Sequence, residues 1–188
     1  SEVLLCSVPG QEDFEGRTLQ SFVEQFDLPG EEAANKLLKH YSDSILVAAF
    51  GMDEGDVRIV MSHPSTMIGT DGLDRGSKPH PRAWGTYPRV LGKYVREEGV
   101  ISLENAISKM TMMPARKFDI ANRGLIKEGY YADIVLFDPT TVVDCATYEN
   151  PRVGPKGIPY VIVNGAFAVK ESKQLSSRTG RALRKGQI

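Results

Sequence analysis

Apolar and polar residues succeed one another along this chain in a pattern that predicts strands and helices in turn. Val3 to Val8 is a short apolar run closed by Pro9-Gly10, as in a buried strand. Gln11 to Arg17 is charged and reads as a loop. Thr18 precedes Leu19, Phe22, Val23 and Phe26, spaced i, i+3, i+4, i+7, so a capped amphipathic helix is expected there. A second helix should start around Asp27 to Glu32, where proline sits near the first turn and acids suit the helix dipole. Its inner face would carry Ala33, Leu37, Leu38 and Tyr41. Ser44 to Phe50 predicts another strand. Asp53 reads as the cap of a helix over Glu54 to Ser62, with Val57, Val60 and Met61 inward and a break at His63-Pro64-Ser65. Thr66 to Gly69 predicts a third strand that ends at Asp71-Gly72.

Strands apolar on both faces, in the order β-α-α-β-α-β, imply an α/β fold with a parallel sheet covered by helices, either a barrel or an open sheet. Gly72 to Trp84 is expected to be irregular, because Gly72, Gly76, Pro79 and Pro81 interrupt regular structure. Thr86 would cap a helix bearing Tyr87, Val90, Leu91, Tyr94 and Val95, ended by Gly99. Ser102 would cap another, with Leu103, Ala106, Ile107 and Met110 inward, followed by a short helix at Pro114 to Phe118. The character changes from Asn122. Ala132 to Pro139 reads as a strand, and Tyr160 to Val169 as a hairpin turned by Asn164-Gly165. Residues 122–188 are therefore expected to form a small antiparallel β unit with a basic tail.

Composition narrows the function. The 188 residues carry 23 basic and 24 acidic side chains, a net charge of −1 that gives no steering toward nucleic acid or an anionic membrane. No apolar run reaches the roughly 20 residues that span a bilayer. Arg178, Arg181, Arg184 and Lys185 form the one basic excess and read as a solvated or docked terminus. Cys6 and Cys145 make no disulfide framework and read as reduced packing residues. Ser1-Glu2 lacks the basic start of a secretory signal, so a cytoplasmic setting is expected. A start without methionine that runs straight into a strand suggests a piece of a longer protein.

Asp71 and Arg82 are the residues with the most chemistry. A carboxylate at a strand tip before glycine can hold a turn, or it can act as a general base or metal ligand at the catalytic face of a barrel. Arg82 can pair on the surface with an acid such as Asp74, or it can clamp a substrate carboxylate with its guanidinium fork. Pro81 and Trp84 beside it favour a stiff, shielded site. His40, His63 and His80 form neither His-x-His nor His-Glu-x-x-His, so no complete metal site is encoded. Nucleotide-binding glycine loops and the Gly-x-Ser-x-Gly elbow are also missing from the sequence.

The run Thr66-Met67-Ile68-Gly69-Thr70-Asp71-Gly72, with His80-Pro81-Arg82-Ala83-Trp84-Gly85-Thr86-Tyr87-Pro88-Arg89-Val90-Leu91-Gly92, closely resembles N-acyl-D-amino-acid deacylases of the amidohydrolase superfamily. Ser102 to Thr111 with Pro114-Ala115, Gly124 to Phe137 and Val163-Asn164-Gly165 resemble the same family. The resemblance implies the C-terminal portion of a metal-dependent (β/α)₈ barrel over residues 1–121 and a small β-domain segment over 122–188. It implies hydrolysis of N-acyl-D-amino acids with zinc, one or two ions. Asp71 then takes the acid on the last barrel strand, receiving a proton from metal-activated water, passing it to the leaving amine, and touching a metal. Arg82 takes the substrate carboxylate, and Met52 a place in the side-chain pocket, where Ala49 is smaller than the aromatic implied nearby. The family's His-x-His, bridging cysteine and two later histidines would lie upstream of Ser1, and Cys6 does not match that cysteine. The partners implied are a small substrate with a free carboxylate and the rest of the barrel, in the same polypeptide or a partner chain. Three of eight strands cannot close a barrel, so the 188 residues alone are expected to be inactive. A related amidohydrolase acting on another amide, or a non-catalytic complementing subunit, is the alternative. An upstream reading frame fused in frame and encoding His-x-His would favour the enzyme.

Overall fold

The fold is that of a computed structural model, described over residues 2–41 and 44–183. Arg184 and Lys185 of the basic tail lie outside the described residues, and so do Ser42 and Asp43. Two compact units are distinguished, Ser1–Glu54 with Asp71–Trp84 and Ala146–Val153, and Gly55–Thr70 with Gly85–Cys145 and Gly154–Ile188.

In the first unit, β1 (Glu2–Ser7) is followed by a 3₁₀ turn at Glu12–Phe14, then α1 (Leu19–Phe26), α2 (Gly30–Tyr41) and β2 (Leu46–Phe50). Thr18 caps α1 as expected, its hydroxyl accepting the Ser21 N–H at 3.3 Å. Phe22 and Leu37 face β1 and pack with Leu5 and Val8, while Phe14, Phe26 and Tyr41 close the cluster from its sides. Leu38, expected inward, is half exposed. It sits one position off the row set by Ala33 and Leu37, which α2 buries.

The expected parallel pairing is not observed. β1 and β2 pair antiparallel, Glu2 opposite Phe50 and Leu5 opposite Val47. The reason is the number of reversals between them. One crossover helix returns the chain to run parallel, whereas α1 and α2 reverse it twice, so β2 comes back the other way.

In the second unit, α3 (Glu54–Ser62) keeps its predicted span, but only Met61 is fully buried and Val60 is exposed. Val57 and Met61, four apart, make the row that faces the core. The third strand expected at Thr66–Gly69 does not form, and among the described residues no strand pairs with it. Its backbone groups bond elsewhere. The Ile68 N–H donates to the Lys109 carbonyl, and the Lys109 ammonium donates to the Thr66 carbonyl at 3.0 Å and its hydroxyl at 3.1 Å. Lys109 is buried but fully engaged this way.

The helix expected from Thr86 begins earlier, as α4 (Arg82–Arg89), and continues as a π-helical stretch over Val90–Glu97. Pro88 inside α4 lacks an N–H and removes one helical bond just before the wider turns. Val90, Leu91 and Tyr94 pack with Met61, Ile101, Ala106 and Val142. Ser102 caps α5 (Leu103–Met110), accepting the Asn105 N–H at 3.2 Å, and α6 (Met112–Lys117) follows.

β3 (Ile134–Leu136), β4 (Tyr160–Val163), β5 (Ala166–Lys170) and β6 (Lys173–Gln174) form one antiparallel sheet in that order. Asn164 (φ 51°) and Gly165 (φ 81°) make the expected hairpin turn, both in the left-handed region that this turn requires. Asp133 accepts the Asn164 N–H at 2.8 Å and pairs with Arg123, tying the turn to the chain before β3. The tail docks, with Arg181 over the Tyr131 ring and Asn164 donating to the Thr179 carbonyl. No helix among the described residues is long and apolar enough to cross a membrane.

Candidate active site

The local chain path brings Asp71 to Arg82. Asp71 has φ 45°, a left-handed conformation that a short polar side chain tolerates. Gly72 follows because nothing larger fits: a Cβ there would lie 2.7 Å from the Ala83 Cα and 2.9 Å from its Cβ. The backbone at 71–72 therefore abuts the first turn of α4, and Asp71 Oδ2 stands 2.7 Å from Arg82 Nη2. The side chains are 84% and 41% exposed, so this ion pair contributes about 0–1 kcal/mol to stability. Its weight is chemical. It sets an exposed carboxylate directly against a guanidinium fork.

The start of α4 is set by His80, whose Nδ1 accepts the Arg82 N–H at 3.0 Å. That ring nitrogen must be unprotonated, so the neutral ring carries its proton on Nε2, which meets the Tyr148 oxygen at 3.0 Å. Burial pushes the His80 pKa down, and the Arg82 charge adds to this against the opposing pull of Asp71. Tyr148 also stacks edge-on against His80 and against Phe50, at 5.1 and 4.9 Å between ring centres.

Asp74 is not the partner of Arg82. Arg152 takes Asp74 through Nε at 3.0 Å and Nη2 at 2.7 Å, and also donates to the carbonyls of Gly76 and Ser77. Glu15 fastens the same loop from the other side, accepting the Ser77 N–H and the Val8 N–H. Burial raises the Glu15 carboxyl, but these hydrogen bonds outweigh it and hold the pKa below the usual range. Tyr148, Arg152 and Glu15 carry no local motif. They are separated by long stretches of chain from what they hold, and sequence spacing gave no signal for them.

Beside Arg82 is a cleft of about 150 Å³ with Cys6, Leu46, Ala48, Ala49, Arg75 and His80 among its lining residues. Met52 stands 79% exposed after β2 and is not among the residues that line it. Burial raises the Cys6 thiol pKa, so the group stays protonated, as expected of a packing residue. His40 lies on the exposed face of α2, and His63 ends α3. Among the described residues no cluster of three His, Cys, Asp or Glu side chains could hold a metal ion. The described residues do not by themselves fit a metal.

Residues 45–169 match the amidohydrolase family. A D-aminoacylase and an N-acyl-D-glutamate deacylase, both from Alcaligenes xylosoxydans xylosoxydans, are each 48% identical, over 71% and 72% of this chain and 28% of each relative. A crystal structure of D-aminoacylase superposes with a TM-score of 0.90 at 38% identity, covering 98% of this chain and 38% of that one. The N-acyl-D-glutamate deacylase from Bordetella bronchiseptica, complexed with zinc and a phosphonate mimic of the tetrahedral intermediate, gives 0.82 at 35% identity over 99% of this chain and 37% of that one. The chain thus spans about a third of the length of the relatives it matches. Its antiparallel sheets and helices have the fold of the corresponding part of those proteins.

Proposed function

The chain belongs to the amidohydrolase family, and on that premise we propose that it is the C-terminal portion of an enzyme that hydrolyses N-acyl-D-amino acids to a carboxylate and a free D-amino acid. The observation that carries this reading is the Asp71–Arg82 contact at 2.7 Å, an accessible base beside a carboxylate-binding fork. Asp71 accepts a proton from the water that adds to the acyl carbonyl carbon, then gives it to the amine nitrogen as the C–N bond breaks. Arg82 binds the carboxylate of the amino acid and fixes the amide relative to Asp71. His80 and Tyr148 hold the first turn of α4 and act as positioning residues. Met52 contributes to the pocket for the amino-acid side chain.

Zinc, one or two ions, belongs to the same proposal, with Asp71 as this chain's contribution and the other ligands in the remainder of the barrel. The boundary between the barrel portion and the small β-domain segment falls at residues 121/122, and the setting is cytoplasmic.

The test uses the full-length, zinc-loaded protein and a panel of N-acyl-D- and N-acyl-L-amino acids. Turnover restricted to the D series is expected. Asp71→Asn should lower kcat by about three orders of magnitude or more. Arg82→Ala should mainly raise KM for substrates with a free carboxylate, and an unchanged KM would remove the clamp assignment. The isolated 188-residue chain loaded with zinc should be inactive, and measurable turnover by it would overturn that part of the proposal.

A further inference from the structure

Arg152 spends its guanidinium on one short loop. Nε donates to Asp74 Oδ1 at 3.0 Å, and Nη2 donates to the same oxygen at 2.7 Å. Nη2 also donates to the Gly76 carbonyl at 2.7 Å, and Nη1 to the Ser77 carbonyl at 3.1 Å. Bonds from all three nitrogens fix the orientation of the guanidinium plane. Stability alone is a weak reason for this arrangement. The Arg152 and Asp74 side chains are 44% and 59% exposed, and an ion pair so exposed contributes little to folding.

The same guanidinium faces Trp84, its central carbon 5.8 Å from the ring centre. Trp84 lies in the first turn of α4, two residues after Arg82, and its N–H donates to the Pro81 carbonyl at 3.1 Å. That turn is held from several sides. His80 Nδ1 accepts the Arg82 N–H, and the backbone at Gly72 abuts Ala83. Successive residues of a helix point about 100° apart, so the contacts on Ala83 and Trp84 fall on different sides of the turn. His80 fixes where the turn begins. Gly72 and Arg152 limit its rotation about the helix axis, and that rotation aims the Arg82 side chain.

We propose that Arg152 is a positioning residue for the proposed reaction: locked by Asp74 and the carbonyls of Gly76 and Ser77, it holds Trp84 and so aims Arg82 at the substrate carboxylate. This rests on the proposed function above. Loss of Arg152 leaves the His80 and Gly72 contacts in place, so the turn persists but is freer to rotate. The fork of Arg82 then meets the carboxylate less well, while proton transfer at Asp71 proceeds as before. The signature is a rise in KM with little change in kcat.

The experiment measures kcat and KM of the full-length, zinc-loaded protein on the best N-acetyl-D-amino acid of the panel above. Arg152→Met should raise KM about 10-fold and leave kcat within about twofold of wild type. Arg152→Lys keeps the charge but loses the planar fork, and should fall between the two. In an Arg82→Ala background Arg152→Met should raise KM no further, because the residue it positions is gone. In fluorotryptophan-labelled protein, the fluorine resonance lost in Trp84→Phe identifies Trp84, and it should shift in Arg152→Met. An unchanged KM in Arg152→Met, a loss confined to kcat, or a full additional loss in the Arg82→Ala background would overturn the assignment. Should Arg152→Met not fold, Arg152→Lys carries the same comparisons. Absence of turnover with every N-acyl-D-amino acid would instead overturn the reaction. Calorimetric binding of the same N-acetyl-D-amino acids to wild type and Arg152→Met would then decide the role of Arg152, with equal affinities, or no binding to either, counting against it.

Discussion

Tyr148 meets His80 at 3.0 Å across 68 residues of chain, and the opposite ring nitrogen of His80 accepts the Arg82 N–H. Both contacts suit the neutral imidazole, and a proton on Nδ1 would set two donors against each other. Burial, aided by the Arg82 charge, holds the folded-state pKa of His80 below its ordinary value of about 6.5. Between these two values the unfolded chain binds a proton and the folded chain does not, so stability rises with pH across that window. The contribution is complete above about pH 6.5 and is lost as the pH falls toward the folded-state value. Denaturant unfolding of wild type and His80→Gln from pH 7.5 to 5 should show a steeper decline in wild type. Parallel profiles would refute it.

Arg82→Ala should leave the unfolding free energy within about 1 kcal/mol of wild type, because its ion pair with Asp71 is solvent-exposed. A much larger loss would mean that Arg82 supports the fold and that its loss of substrate affinity could not be read as a binding effect.

Glu15→Gln tests the anchor of the 74–77 loop. The carboxylate accepts two backbone N–H groups, from Val8 and Ser77. An amide offers one oxygen and one NH₂, so one of those N–H groups must face a donor. A loss of about 1–3 kcal/mol is expected, measured by chemical denaturation. With the Glu15 pKa held low, its contribution is present above the usual carboxylate range and fades as the pH falls through the folded-state value, a dependence that Glu15→Gln should lack.

Two glycine-to-alanine substitutions separate backbone strain from collision. Gly165 has φ 81° and open space around it, so Gly165→Ala should cost about 1–2 kcal/mol from conformation alone. Gly76→Ala adds contacts near 2.6 Å with β1 and should cost more, by about 1–3 kcal/mol beyond the backbone effect. Thermal or denaturant unfolding gives the order, and a larger loss at Gly165 would contradict the close approach at Gly76.

Features fixed by neighbouring residues were legible in the sequence. Thr18 and Ser102 cap the helices that their hydroxyls predict, and Asn164-Gly165 turns its hairpin, because each effect acts within three residues. Pairing across distance was not legible. The two apolar runs that become β1 and β2 carry no mark of direction, and the antiparallel answer depends on the number of helices between them. Thr66–Gly69 looks like a strand by composition but spends its backbone bonds on Lys109. The start of α4 was misplaced at Thr86 because its cap is a histidine ring, a group that the usual capping preferences do not flag. At the site, Asp71 and Arg82 stood out by residue type and context. Tyr148 and Arg152 did not, since each acts on a loop far upstream.

The clamp from Arg152 to Asp74 spans 78 residues, and this sets an order of events during synthesis. When the ribosome releases the 74–77 loop, the side chain that secures it has not yet been made. Helices α1 and α2 and the β1–β2 pair can begin to form beforehand, because the strand pairing and the Leu5, Val8, Phe22 and Leu37 cluster join residues that precede the 74–77 loop. The cleft cannot be finished until Tyr148 and Arg152 have emerged. A nascent chain stalled before residue 148 should thus hold a native-like β1–β2 pair beside an unsecured loop, and pulse proteolysis of stalled chains would detect cleavage within 74–77 that disappears once residue 153 is clear of the exit tunnel.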